Sequence, residues 1–237
     1  MNVILLGSQD CWLDDTTVLL SDRRAVHILD VLKPTIGDTL RVGVRDGALG
    51  TGRVVAIDGS TVTLAVNTPE SPPRRHRFEI VLALPRPKML RRILRTVAEF
   101  GVSDLHLINS ARVEKSFWQT PLLAADKVEE ALLAGMERSR DTIAPRVHQH
   151  RLFRPFVEDR LVQICSGRPC WIAEMGSAQA LSTTAAGSAV VMIGPEGGFV
   201  PFELDLAQAV IGRPVHLGER LLSVDTALTA VLALGWG

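Results

Sequence analysis

The chain has 237 residues, is 46% hydrophobic, and carries 26 basic against 26 acidic side chains. This length and apolar content allow one or two domains with a buried core. Because the basic and acidic side chains balance, net charge predicts no class of binding partner. No apolar run approaches the length of a membrane span.

Cysteine and histidine placement predicts neither a disulfide framework nor a metal site. Cys11, Cys165 and Cys170 form no CxxC pair, and the six histidines show no zinc-ligand spacing. Free thiols fit a reducing compartment. Residues 1–10 lack the basic start and long apolar run of a secretory signal. We therefore expect a cytoplasmic protein that binds no metal.

Residues 1–70 are predicted to form a first domain of short strands, a small β-barrel or sandwich. Turn signals separate stretches that are rich in β-branched residues, and a short helix is expected at 22–33 with Asp22 at its start. The predicted strands are 39–44, 52–57 and 61–66. A proline-rich stretch, 67–77, disfavours helix and central strand, and we assign 71–77 as a linker.

Residues 78–237 are predicted to form a second domain, because strand patterns there alternate with helix patterns. The predicted strands are 78–84, 104–109, 169–175, 189–194 and 215–218, and the predicted helices are 87–101, 119–139, 201–211 and 223–234. This alternation favours an α/β fold with a mostly parallel sheet. Ligands bind at the carboxyl ends of such strands, so we expect the loops after Ile172, Ile193 and Leu217 to meet.

A basic segment begins at the linker. Residues 74–95 hold eight Lys or Arg against a single acid, Glu79. Within the helix predicted at 87–101, four of these cations fall on the face opposite the apolar residues. Such a segment is typical of a surface that binds a phosphate backbone, although a solvated face without a ligand has the same pattern.

The glycine-rich stretch IGPEGGF, residues 193–199, follows a predicted buried strand. Its glycines remove side chains where a ligand would approach the backbone. The stretch lacks the GK[ST] and GxGxxG patterns, and Glu196 would repel a phosphate. The same carboxylate suits a cationic, hydroxyl-rich ligand such as S-adenosylmethionine. A tight strand-to-helix turn without a ligand is the alternative.

Two C-terminal stretches carry a resemblance to a known family. IGPEGGF and LGERLLSVDTALTAVLAL, residues 217–234, resemble the signatures of SPOUT methyltransferases, and more narrowly of the RsmE type, which methylates N3 of a uridine in 16S ribosomal RNA. HILDVLKPTIGD, residues 27–38, is similar to an element of that family's PUA-like domain. Ser223 departs from the pattern, because the family has arginine there.

The resemblance implies a SPOUT α/β domain whose C-terminal segments form a trefoil knot, preceded by a PUA-like β-barrel that binds RNA. It also implies a homodimer, S-adenosylmethionine as cofactor, and the small ribosomal subunit as partner. A SPOUT enzyme acting on ribose 2′-OH or on tRNA is one alternative. A catalytically idle RNA-binding factor for ribosome assembly is the other, and Ser223 keeps it open.

Residue roles follow from the two signatures and the basic segment. The expected cofactor pocket comprises Ile172, Ala173, Glu174, Ile193, Gly194, Pro195, Gly197, Leu217, Gly218, Leu221, Leu222 and Thr226. The expected catalytic residues are Glu196 or Asp225 as base. Because Ser223 cannot supply the family's positive charge, Arg220, Arg112 or Arg138 is expected as the cation near the uracil. The expected RNA contacts are Arg74, Arg75, Arg86, Lys88, Arg91, Arg92, Arg95 and Arg112. Glu196 could instead bind only the cofactor, and Asp225 could only cap the last helix.

Overall fold

A computed structural model describes residues 1–184 and 187–236. Its contacts divide the chain into two compact units. The first comprises residues 1–74 with 133–144, and the second comprises residues 75–132 with the chain from 145 onward. No helix within the described residues is both long and apolar enough to cross a membrane.

The first unit is built on a six-stranded mixed sheet. Its strands are β1 (Ile4–Leu6), β2 (Cys11–Trp12), β3 (Thr17–Leu20), β4 (Thr39–Val44), β5 (Leu49–Asp58) and β6 (Thr61–Glu70). The order is β1-β4-β5-β6-β3-β2, in which only β1 and β4 pair in parallel. Alternate residues such as Val62 and Leu64 are buried, as expected for strands with one face on the core.

The short helix predicted at 22–33 is present in two parts. Helix α1 (Arg23–His27) is followed by a π-helical turn, Ile28–Leu32. Asp22 caps it as predicted, because its carboxylate accepts a hydrogen bond of 2.8 Å from the backbone N–H of Arg24. Strand β6 continues through 67–70, so the first residues of the proline-rich stretch are in a strand, and the assigned linker, 71–77, follows it.

Residues 133–144 lie within the predicted second domain, but in the structure they pack with the first unit. The backbone N–H groups of Asn2 and Val3 donate to the carbonyl of Glu137 at 2.8 and 3.2 Å. The guanidinium of Arg23 forms an ion pair with the Glu137 carboxylate. These contacts join positions far apart in the chain, so local sequence patterns could not indicate them.

The second unit contains a six-stranded parallel sheet, which confirms the predicted α/β class. Its strands are β7 (Phe78–Ala83), β8 (Asp104–Ile108), β9 (Arg146–His150), β10 (Cys170–Ala173), β11 (Ala189–Ile193) and β12 (Gly212–Val215). The order is β12-β10-β11-β7-β8-β9, and all five pairs of neighbouring strands are parallel. Strands β10 and β11 are neighbours, so the loops that follow them leave the same edge of the sheet.

The helices of this unit agree in part with the predictions. They are α2 (Pro87–Glu99), α3 (Ala125–Ser139), α4 (Phe153–Pro155), α5 (Leu161–Cys165), α6 (Leu181–Thr184), α7 (Pro201–Val210) and α8 (Val224–Leu234). Helix α3 begins in this unit, and its residues from 133 onward belong to the first unit. Helix α2 buries its apolar face while Lys88, Arg91 and Arg92 are exposed, as its periodicity predicts. The predicted helix 119–139 begins late, because two 3₁₀ turns precede α3.

Strand β12 was predicted too late, at 215–218. It ends at Val215 and includes Pro214, which an edge strand tolerates because proline cannot donate to a ladder. Gly212 allows a close approach to β10, since a Cβ there would lie 2.5 Å from Cδ1 of Ile172. Strand β12 therefore ends three residues before the predicted strand does, and the loop after it begins at 216.

Candidate functional site

The ends of β10, β11 and β12 enclose a cavity of about 310 Å³. The convergence of these three loops was expected from the logic of parallel sheets. The lining residues are Ala173, Glu174, Met175, Ile193, Gly194, Pro195, Glu196, Gly197, Gly198, Leu217, Gly218, Arg220, Leu221, Leu222, Val224 and Ala227. The volume is at the lower end of the range for small-molecule sites.

This cavity is lined by most of the residues that were expected to bind the cofactor or to take part in catalysis. Three of the expected residues do not line it. Ile172 is fully buried inside β10, and neither Asp225 nor Thr226 lines the cavity. Sequence reasoning missed Met175, Gly198, Val224 and Ala227, which line it as well. Each of these lies within two residues of an expected one.

Backbone shape in the loop after β11 depends on glycine at two positions. The N–H of Gly198 donates to the carbonyl of Pro195 at 2.8 Å, which closes a tight turn. Gly198 has φ of +74°, a conformation that glycine adopts without strain. At Gly194, a Cβ would lie 3.1 Å from the backbone N of Phe199. The turn therefore exposes main-chain groups of residues 194–198 to the cavity.

Arg112 and Glu203 hold this loop from outside the cavity. The guanidinium of Arg112 donates to the carbonyls of Gly197 and Gly198. The Glu203 carboxylate, on a residue only 3% exposed, accepts a bond of 3.0 Å from the hydroxyl of Ser110. It also accepts from the N–H groups of Ala111 and Val200, at 2.7 and 3.0 Å. One buried acid thus joins the segment that carries Arg112 to the glycine loop.

Sequence reasoning missed Glu203, although a signal was present. An acid three residues after the start of a helix, behind Pro201, is the typical position for reaching back to the first N–H groups. Ser110 and Ala111 are over ninety residues away in the chain, so no local pattern could show that the same carboxylate binds them.

We expect Glu203→Gln to destabilise the protein by roughly 1–3 kcal/mol, because an amide cannot accept from two N–H groups and a hydroxyl as the carboxylate does. Urea unfolding monitored by circular dichroism measures this. The exposed Asp205 of the same helix provides the matched control, and Asp205→Asn should stay within about 0.5 kcal/mol of the parent. Equal stability of the two variants would contradict the assignment.

Two ion pairs connect arginines at the start of α2 and within it to acidic residues of the two C-terminal signatures. The Arg86 Nε lies 3.6 Å from the Glu196 carboxylate, and the Arg92 guanidinium lies 3.3 Å from that of Asp225. The Ser223 hydroxyl donates to Asp225 at 2.6 Å. This bond, and then the positive charge of Arg92, lowers the pKa of Asp225. By contrast, burial raises the pKa of Glu174, although Arg112 opposes the shift.

The turn into α8 combines a glycine at positive φ with exposed side chains. Gly218 has φ of +131°, and a Cβ there would meet no atom within 4 Å. Leu221 is 77% exposed although it lines the cavity, and Arg220 is exposed beside it. An apolar side chain that is this exposed beside a cavity is available to cover a ligand.

The predicted RNA contacts are distributed over both units. Arg74 belongs to the first unit, and the others belong to the second. Arg86, Lys88, Arg91, Arg92 and Arg112 are exposed, whereas Arg75 and Arg95 are half-buried. Arg91 pairs with Glu130 at 2.7 Å. Several of these cations therefore already have partners within the chain, which the charge pattern alone did not indicate.

Comparison with known proteins identifies relatives along the whole chain. Residues 72–236 match the model of a family described as RNA methyltransferase domain. The chain is 26% identical over 239 residues to ribosomal RNA small subunit methyltransferase E of Treponema pallidum, covering 99% of this chain and 90% of the relative. The protein of the same name from Synechocystis is 25% identical, with coverages of 92% and 72%.

Solved structures share the fold at low identity. Ribosomal RNA small subunit methyltransferase E of Neisseria gonorrhoeae, bound to S-adenosyl methionine, superimposes with a TM-score of 0.75 at 20% identity, covering 98% of this chain and 96% of that one. A probable rRNA methyltransferase from Porphyromonas gingivalis gives 0.74 at 23% identity, covering 100% and 96%. At these identities the likeness shows the fold alone.

Proposed function

Because the chain belongs to the RNA methyltransferase domain family, of the RsmE type, we propose that it transfers a methyl group from S-adenosylmethionine to ribosomal RNA of the small subunit. The observation that carries this proposal is the cavity formed by the loops after β10, β11 and β12. The finer proposal is methylation of N3 of a uridine in 16S ribosomal RNA, which the two C-terminal signatures support.

The cavity fits the chemistry of this cofactor. Main-chain groups exposed by the glycine turn suit the edge of an adenine ring, which needs donors and acceptors but no particular side chain. Leu217 and Leu222 can flank the ring, and both line the cavity. The carboxylates of Glu174 and Glu196 suit the hydroxyl and cationic groups of the cofactor. The cofactor supplies the activated methyl group.

The residues of this chain would then prepare the uracil. N3 must lose its proton before or during attack, and Glu196 lines the cavity as the proposed base. Asp225 is the second candidate, but its lowered pKa makes it a weaker proton acceptor. Arg220 lines the cavity and remains the proposed cation near the uracil, which would favour the N3 anion. Arg112 is less suited, since it already binds the glycine loop.

Several wider features belong to the same proposal. We propose that residues 1–70 act as a PUA-like RNA-binding domain and that the C-terminal segments form a trefoil knot. We also propose that the active protein is a cytoplasmic homodimer. The resemblance of residues 27–38 and of the two C-terminal signatures supports these assignments, and the first unit has the β structure that a small RNA-binding domain requires.

Affinity for small-subunit RNA should fall with salt at a log–log slope of about −0.7 to −0.9 per phosphate neutralised. Lys88→Ala should reduce the magnitude of that slope by about one such increment, because an exposed cation of α2 is lost. Lys127→Ala is the matched control, since Glu130 already pairs with that ammonium at 3.2 Å. Binding that does not respond to salt would contradict a phosphate-binding surface on α2.

The function is tested by incubating the protein with labelled S-adenosylmethionine and small subunits from cells that lack this methylation. Label on N3 of a uracil, found by nucleoside analysis, supports the proposal. Label on a ribose 2′-OH, or label on tRNA offered in a parallel reaction, would establish another target. Subunit binding without any label would establish a non-catalytic assembly factor and would contradict the methyltransferase assignment.

A further inference from the structure

Three of the six histidines come together on one face of the parallel sheet. His148 and His150 are two residues apart on β9, so their side chains lie on the same face. His106 of β8 pairs in register with His148. The ring centroids of His106 and His148 are 4.5 Å apart, and those of His106 and His150 are 5.4 Å apart. None of these side chains lines the cavity described above.

The donor atoms in this cluster are close enough to share an ion. One donor atom from each of Asp104, His106 and His148 lies within 4.8 Å of the other two. Nδ1 of His106 and Nε2 of His150 are 3.1 Å apart. Two ligand nitrogens on a tetrahedral zinc ion, each about 2.0–2.1 Å from the metal, are separated by a similar distance.

A carboxylate behind the cluster, that of Glu79, orients the ring of His106, as carboxylates do for histidine ligands in metal sites. Nε2 of His106 lies 2.8 Å from the Glu79 carboxylate, which only accepts, so Nε2 carries a proton. In the neutral ring, Nδ1 then keeps the lone pair. A carboxylate that fixes the tautomer of a ligating histidine is a recurrent second layer in such sites. Arg168 binds Glu79 in turn, and Arg146 binds one oxygen of Asp104 at 2.7 Å.

We propose that His106, His148 and His150, with Asp104, bind one divalent first-row transition ion of the zinc class. Three imidazoles and one carboxylate on adjacent strands supply the four nitrogen and oxygen ligands of a tetrahedral zinc site. The rings are now nearly stacked, at interplanar angles of 12° and 26° for the pairs with His106. Binding therefore requires rotation about their Cβ–Cγ bonds. The ion would replace the present contact between His148 and Asp104, and it would fix the edge strand β9.

This proposal is tested on the full chain, first stripped with a chelator and then titrated with Co²⁺ alone. The expected result is a visible d–d absorption that saturates at one ion per chain and that Zn²⁺ displaces. A rise in Tm with Zn²⁺ should accompany it. Absence of both signals at ion concentrations far above that of the protein would overturn the proposal.

Variants locate the ion. His148→Gln with His150→Gln should remove the absorption, whereas the control His27→Gln in the other unit should retain it. Circular dichroism verifies that each variant is folded. If the double variant does not fold, Asp104→Asn replaces it, with a changed cobalt spectrum expected. Undiminished cobalt binding in a folded ligand variant would refute this site.

Discussion

Replacing Gly198 by valine should strongly weaken the binding of S-adenosylmethionine. Gly198 has φ of +74°, where a β-branched residue is strained, and its Cβ would point between the carboxylate of Glu174 and the guanidinium of Arg112, 3.9 and 4.0 Å away. The valine would therefore both deform the turn and enter the cavity wall. We expect affinity to fall on the order of 100-fold, about 2.7 kcal/mol, measured by isothermal titration calorimetry.

Gly167→Val is the control for this prediction. It distinguishes the effect of backbone strain alone from the effect of a changed cofactor cavity. Gly167 has φ of +81°, and a Cβ there would meet no atom within 4 Å, so it imposes similar strain outside the cavity. Both variants should lose comparable stability, and only Gly198→Val should lose the cofactor. Normal affinity in Gly198→Val, with the fold intact, would show that the cofactor binds elsewhere.

Replacing Glu196 by glutamine should reduce turnover by about 10²–10⁴-fold with little change in cofactor affinity. Glutamine keeps the size of the side chain and removes the group proposed to accept the N3 proton. Turnover is measured by label transfer to small subunits at saturating cofactor, and affinity by calorimetry. This split distinguishes loss of a base from loss of a binding contact.

Glu219→Gln is the matched control, because Glu219 is an exposed acid in the neighbouring loop that does not line the cavity. It should turn over like the parent. If Glu196→Gln retains full turnover, Glu196 is not the base, and Asp225→Asn becomes the decisive variant. If Glu196→Gln loses affinity and turnover together, the carboxylate binds the cofactor instead.

The sequence predicted the parts of this site that depend on local pattern. Apolar runs ending in glycine indicated β10 and β11, and parallel-sheet logic placed their loops together. It failed for β9, because the stretch RVHQH has no apolar alternation although its strand pairs with β8. Its histidines cluster only through that pairing. The histidine spacing alone therefore gave no reason to expect a metal.

Longer-range contacts also limited the prediction. The charge pattern predicts that the basic residues form one phosphate-binding face. In the structure, however, Arg86 forms an ion pair with Glu196 and Arg92 forms one with Asp225. The sequence allows a prediction that Glu203 lies in the first turn of α7. It does not allow a prediction that Ser110 and Ala111 donate hydrogen bonds to its carboxylate. Such side-chain pairings depend on how loops meet in space, which periodicity does not encode.

The bonds from Arg112 and Glu203 have a consequence for the thermodynamics of ligand capture. Because these side chains already fix the glycine turn, the cofactor would meet a preorganised surface and would not have to order a mobile segment. Little conformational entropy should then be lost on association, and the turn should keep the same backbone trace in the free and bound protein.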